Sequence, residues 1–213
     1  MPIILLLLAV IGLIFLRPLS RVVIALVAGR SIGRHALEKQ PDRFELCEAG
    51  LQAWQDAAAA DRLTEPLLLL GYEQAGTFTV PQLPGVVLRL LVQVRECVLG
   101  IVYEHPKTGR WVELTTRYTG GTAFTVTSGV DRGLAPCPGH PVTHLASAEP
   151  AVLHSRLVAL RPRNGMERSE AGRAARVFEQ GFAETMAWRK SQGISRSEVV
   201  RVAARGLKKQ QAA

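Results

Sequence analysis

The residues whose types and spacing could do chemistry lie closest together in one stretch, PCPGHPVTH, where Cys137, His140 and His144 follow a C-x2-H-x3-H pattern. A thiolate and two imidazoles suit zinc, and three protein ligands would leave a position open for water or substrate, as catalytic zinc sites do. A metal-dependent hydrolase is therefore one reading of the chain. Pro136, Pro138 and Pro141 crowd the same stretch, however, and explain it equally as a stiff surface loop. No fourth ligand or general base stands nearby in sequence.

Other chemical groups are weaker candidates. His105 follows Glu104, but neighbours on a strand point to opposite faces, so an acid/base pair is not expected there. Ser128-Gly129 lacks the G-x-S-x-G elbow of a nucleophile. Gly120-Gly121 lacks the strand-to-helix setting of a phosphate loop and reads as a turn. Cys97 opens an inner strand and reads as a small buried hydrophobe, while His35 and His154 fall in helices as polar positions. No nucleotide or cofactor signature stands out, so no cofactor is expected.

Composition sets the frame for these groups. Hydrophobic residues make up 47% of the 213 and charged residues 21%, which excludes disorder of the whole chain. Three widely spaced cysteines, Cys47, Cys97 and Cys137, are not a disulfide framework and fit a reducing compartment. The formal charge of +8 is unevenly spread: residues 44–155 carry seven basic against eleven acidic side chains, and residues 156–213 carry thirteen against five. A basic end invites an anionic partner.

Residues 1–16, MPIILLLLAVIGLIFL, contain no charge. As a helix they would span about 24 Å, slightly less than a bilayer core of about 30 Å, and Arg17 and Arg21 can snorkel to close the difference. A cleaved signal peptide would carry its positive charge before the apolar run, whereas here Arg17, Arg21, Arg30 and Arg34 all follow it. The positive-inside bias then places the N-terminus outside, the single span in the cell membrane and the domain in the cytoplasm. Residues 1–40 are expected to form this anchor and a juxtamembrane helix, stopped by Pro41.

An α+β domain is expected over residues 41–165. RFELC is a candidate first strand, and 56–70 a helix capped by Asp56, interrupted by Pro66 and ended by Gly71. The period then changes to two, with strands at 77–80, 86–94, 97–105, 110–118 and 122–128. In the strand 110–118, Val112, Leu114, Thr116 and Tyr118 share one face, and Trp111, Glu113, Thr115 and Arg117 the other. Short turns between these strands predict an antiparallel meander of four to five strands covered by helices. Residues 129–148 read as a loop, and 149–161 as a helix.

Residues 166–213 are expected to be basic helices packing on the domain or extending it. Ala171, Ala175, Phe178, Phe182 and Met186 form an apolar stripe suited to a sheet face. Ser195 and Glu198 form a capping box for a last helix whose inner face would be Val199, Val202, Ala203 and Gly206. Its outer face, Arg201, Arg205 and Lys208, together with Arg17 and Arg21, could contact anionic lipid. An aromatic content of 6% and the lack of RNP, KH or zinc-finger signatures argue against nucleic acid.

YEHPKTGRWVELTTRY (103–118), PGHP (138–141) and MAWRK (186–190) resemble a group of uncharacterised bacterial membrane-anchored proteins. That resemblance implies an anchored, single-domain bacterial protein without an assigned activity. The expectation is a membrane-held, cytosol-facing interaction or scaffolding domain whose protein partner the sequence does not name.

Overall fold

The structure, a computed structural model, describes residues 31–202 except 32, 36, 196 and 200. Its described residues fall into two compact units, one of residues 41–131 with 136–187, the other containing 132–135 and the described residues before 41 and after 187.

The first unit is built on a seven-stranded sheet in simple sequential order: β1 (Cys47–Glu48), β2 (Glu73–Thr79), β3 (Val87–Gln93), β4 (Val98–His105), β5 (Gly109–Arg117), β6 (Ala123–Thr127) and β7 (Val142–His144). Six strands pair antiparallel, and β7 joins β6 in parallel, so the sheet is mixed. The sheet thus exceeds the four to five strands that the sequence predicts, and the two extra ones are the shortest. β1 is two residues long, and β7 lies inside the Pro-rich stretch that reads as loop, where three residues carry no periodicity to detect.

Helices α1 (Ala57–Leu69) and α2 (Pro150–Leu160) cover one face of the sheet. There Val87, Leu91, Val98, Val102, Val112 and Leu114 meet Ala60, Leu67, Leu153 and Leu157. Several of these side chains are fully buried, each contributing on the order of 1.5–3 kcal/mol of hydrophobic stabilisation. Asp56 caps α1 as its position suggests, its side chain accepting from the Ala59 amide at 3.0 Å. Pro66 does not interrupt α1 but lies inside it. The carbonyl that its missing N–H leaves unbonded is on exposed Arg62, where solvent can reach it.

The third helix, α3 (Ala174–Gln192), follows a 3-10 turn at Ala171–Arg173 and serves the other face. Ala174, Ala175, Val177 and Phe178 pack on Leu88, Leu90, Val92, Leu99 and Ile101. Phe44 stacks on Phe182.

In the second unit the capping box forms as its sequence dictates: Ser195 Oγ accepts from the Glu198 amide at 3.2 Å while Glu198 Oε2 accepts from the Ser195 amide at 2.8 Å. Glu198 also pairs with Arg189 at 2.8 Å and accepts from the Ala135 amide at 2.8 Å. Burial pushes the Glu198 carboxyl up, but these donors outweigh it and hold the group down to about 2. Val202, expected on the inner face of this helix, is 42% exposed.

Candidate functional site

Strand β5 has a partner on both edges, so its central residue lies in the interior of the sheet. That residue is Glu113, opposite Ile101 on β4 and Thr127 on β6. Strand alternation turns it away from Val112 and Leu114, toward the face that α3 serves. On the β3–β4 half of that face the floor is aliphatic; on the β5–β6 half it is Trp111, Glu113, Thr115, Arg117, Thr125 and Thr127.

Most members of this polar floor have partners. The Thr115 and Thr125 hydroxyls share a hydrogen bond of 2.9 Å. Thr127 Oγ1 donates to the Val112 carbonyl at 2.9 Å and accepts from the Gly129 amide at 3.0 Å. Arg117 pairs with Glu184 of α3 at 3.0 Å, and its guanidinium fits beneath Gly181, where a Cβ would stand 2.8 Å from Nη1. The Tyr103 ring stacks on Trp111 with centroids 4.6 Å apart.

Glu113 differs. It is half-buried, and among the described residues no cation or hydrogen-bond donor meets its carboxylate. Burial, uncompensated by an opposite charge, pushes the carboxyl up to about 7. Burial likewise raises the Tyr103 hydroxyl well above its usual range, and the neighbouring negative charge of Glu113 adds to the effect. A carboxyl poised near neutral pH can exchange a proton or receive a cation there, and strongly perturbed groups of this kind concentrate at functional sites.

Charges on the opposite face are matched. Arg89 meets Asp61 at 2.7 Å and Thr64 at 3.0 Å, with its guanidinium 5.3 Å from the centre of the Trp54 ring. Glu104 meets Arg110 at 2.6 Å and accepts from the Gln55 amide at 2.6 Å. Arg161 pairs with Glu96, donates to the Glu96 carbonyl and donates to Thr116 at 2.7 Å. Tyr72 and His154 share a bond of 2.9 Å in the same region; burial raises the tyrosine hydroxyl and lowers the imidazole.

Two surface features lie apart from these charges. A recess of about 380 Å³ opens between Tyr118–Gly120, Thr122–Phe124, Gly139, Pro141 and the 162–165 turn. Tyr118 is its one ionisable lining residue, with its hydroxyl already donating to the Pro162 carbonyl at 2.9 Å. At one end of the sheet, Leu68, Leu69 and Leu70 at the end of α1 are exposed, Leu69 by 83%. Gln93 fastens this end by donating to the Leu70 carbonyl at 2.8 Å, and Val94, the next residue, is also exposed.

The candidates chosen from sequence are placed differently. His144 Nδ1 donates to the Gly129 carbonyl at 3.0 Å, and the His140 amide donates to the Cys137 carbonyl at 2.9 Å. The His140 side chain acts electrostatically on Glu184. Among the described residues no three His, Cys, Asp or Glu side chains gather as metal ligands would, Cys137, His140 and His144 included. Backbone pairing of β7 fixes His144, and the 137–140 turn curls on itself, so sequence spacing does not become convergence. Cys97 is not the start of a strand but sits in the β3–β4 turn at φ 53°, half-buried, with Sγ 3.8 Å from the Val94 carbonyl. His105 and Glu104 diverge as expected, His105 Nδ1 accepting from the amides of Lys107 at 3.0 Å and Thr108 at 3.3 Å.

Arg201 is exposed, with Nε donating to the Gly133 carbonyl at 3.1 Å. Arg17, Arg21, Arg205 and Lys208 lie outside the described residues, as does the uncharged run 1–16. Among the described residues no helix is long and apolar enough to cross a membrane.

Glu113 does not stand out in the sequence as a candidate. The available signal is its position: a carboxylate at the centre of a strand whose neighbours on both sides are themselves strand sequences. Comparison with protein-family models, with curated proteins and with solved structures finds no match to this chain.

Proposed function

We propose that this chain is a bacterial membrane-held interaction domain, not an enzyme, with its folded part facing the cytoplasm. The observation that carries the interaction role is the leucine tip, where consecutive Leu68, Leu69 and Leu70 are all exposed and Gln93 of β3 fastens Leu70. Exposed large apolar residues next to one another serve a partner more often than scattered single ones do. The membrane hold rests on the uncharged run 1–16 and the arginines that follow it, and on the resemblance carried by residues 103–118, 138–141 and 186–190. Arg17, Arg21, Arg201, Arg205 and Lys208 would add contacts to anionic lipid, with Arg201 weakened in that role by its bond to Gly133.

One experiment covers both parts. A photoreactive residue replaces Leu69 in the full chain, a second variant carries it at Lys107 at the other end of the sheet, and cells are irradiated and fractionated. A discrete protein adduct from position 69 but not 107, recovered with membranes, is the expected result. Recovery of the chain in the soluble fraction would overturn the membrane hold, and equal adducts from both positions would overturn the leucine tip as the recognising surface. A single cysteine at Ser197, with the native cysteines removed, then reports the side: labelling by an impermeant maleimide only after permeabilisation is expected, and labelling of intact cells would contradict it.

A further inference from the structure

The interaction role leaves the recess beside the β5–β6 turn unexplained. It holds about 380 Å³, within the range of about 300–1,000 Å³ that small-molecule sites occupy. Three segments of the first unit wall it: the β5–β6 turn, the approach to β7 at 139–141, and the 162–165 turn that follows α2.

These walls are bonded to one another. The Thr119 amide donates to the Gly165 carbonyl at 2.9 Å, the Glu167 amide to the Arg117 carbonyl at 2.9 Å, and the Ala123 amide to the Gly139 carbonyl at 3.1 Å. The Tyr118 hydroxyl adds its bond to the Pro162 carbonyl. Gly139 lets two walls approach closely: its φ of 77° disfavours a side chain, and a Cβ there would stand 2.8 Å from Thr122 Cγ2. The recess is therefore shaped before a ligand arrives, and binding need not order it.

The lining states the ligand's chemistry. Tyr118 and Phe124 supply aromatic carbon, and Pro141 and Pro162 supply stiff aliphatic carbon. Thr119, Thr122 and Asn164 border the same space, and their side chains make no hydrogen bond among the described residues. Two hydroxyls and one amide offer donors and acceptors alike. No Asp, Glu, Lys, Arg or His side chain lines the recess. A charged ligand would give up hydration there and meet no opposite charge.

We infer that this recess is a binding site for a small uncharged ring compound whose edge carries amide or hydroxyl groups. The inference rests neither on the membrane hold nor on the leucine tip. Aromatic amides and neutral sugars both offer an apolar ring face with a hydrogen-bonding edge.

The test uses the full chain in detergent micelles, with the Gly120 amide as the reporter in nitrogen-15 spectra. Gly120→Ala assigns that signal by its disappearance, at a position where a Cβ meets nothing within 4 Å. Gly109, at the other end of β5, is the control. Benzamide, benzoate and methyl glucoside are titrated separately at matched ionic strength. A saturable shift at Gly120 but not Gly109 is expected with benzamide or the glucoside, and the tighter of the two names the ring. Asn164→Leu, at an exposed position, removes that side chain's hydrogen bonds at similar size and should weaken binding about fivefold. Thr122→Val, also exposed, should act in the same direction and provides a second reading if Asn164→Leu lowers the melting curve. Shifts that stay linear with concentration for both neutral probes, or affinities that both variants leave unchanged, would overturn the site. Tighter binding of benzoate than of benzamide would overturn the uncharged class.

Discussion

The two faces of one sheet treat charge in opposite ways. Under α1 and α2, Arg89, Glu104 and Arg161 are buried, yet each is closed by a counter-charge and a second polar contact. Toward α3, half-buried Glu113 on the inner strand β5 meets no opposite charge among the described residues. The first arrangement is architectural: Arg161 ties the end of α2 to the β3–β4 turn and to β5, and Arg89 ties α1 to β3. The second contributes nothing comparable to the architecture. The difference teaches that burial of a charge is not itself a functional signal, since counter-charges make the buried groups under α1 and α2 part of the architecture.

The largest expected effect breaks the closed side. Arg161→Met keeps the volume but leaves Thr116 and the Glu96 carbonyl without their donor, and should destabilise by about 3 kcal/mol in urea unfolding. A change below about 1 kcal/mol would mean that the pair is not closing the core. Glu113→Gln should act in the other direction. The fold raises this carboxyl from 4.5 to about 7, so it favours the protonated form. The contribution of this one group to stability is therefore greatest below pH 4.5, falls as pH rises to about 7, and levels off above. The glutamine variant escapes that loss, and should be more stable than wild type by roughly 1–3 kcal/mol at pH 8 and little different at pH 4.

Two smaller changes sharpen the contrast. Asp56→Ala removes the α1 cap and a 3.6 Å contact to Arg110, at an expected cost of about 1 kcal/mol by thermal melting. Gly181→Ala pushes the Arg117 guanidinium aside, weakening its pair with exposed Glu184, while the better helix former returns a similar amount. The net change should stay within about 0.5 kcal/mol, because an ion pair with one exposed partner is worth little.

Much of the meander was legible because its strands alternate cleanly: Val112 and Leu114 against Trp111, Glu113 and Thr115 gave both faces of β5. Asp56 and the Ser195–Glu198 box were legible because capping is local chemistry. β1 was legible only as the candidate RFELC, which it overlaps at Cys47, and β7 was not, since two or three residues carry no period and their pairing is decided by distant strands. The Cys137, His140 and His144 side chains do not gather as ligands among the described residues, because spacing in a proline-rich loop does not fix where side chains point, whereas the setting of Glu113 depends on which strands flank β5, which no local pattern states.

The most direct test is the titration of Glu113 itself. Carbon-13 spectra of glutamate-labelled chain, with the Glu113 carboxyl assigned by its disappearance in Glu113→Gln, would follow that one group from pH 3 to pH 9. A midpoint near 7 is expected for this half-buried carboxyl, which has no counter-charge among the described residues. A midpoint near 4.5 or below would show that water or a hidden partner already satisfies it, and would remove the distinction between the two faces.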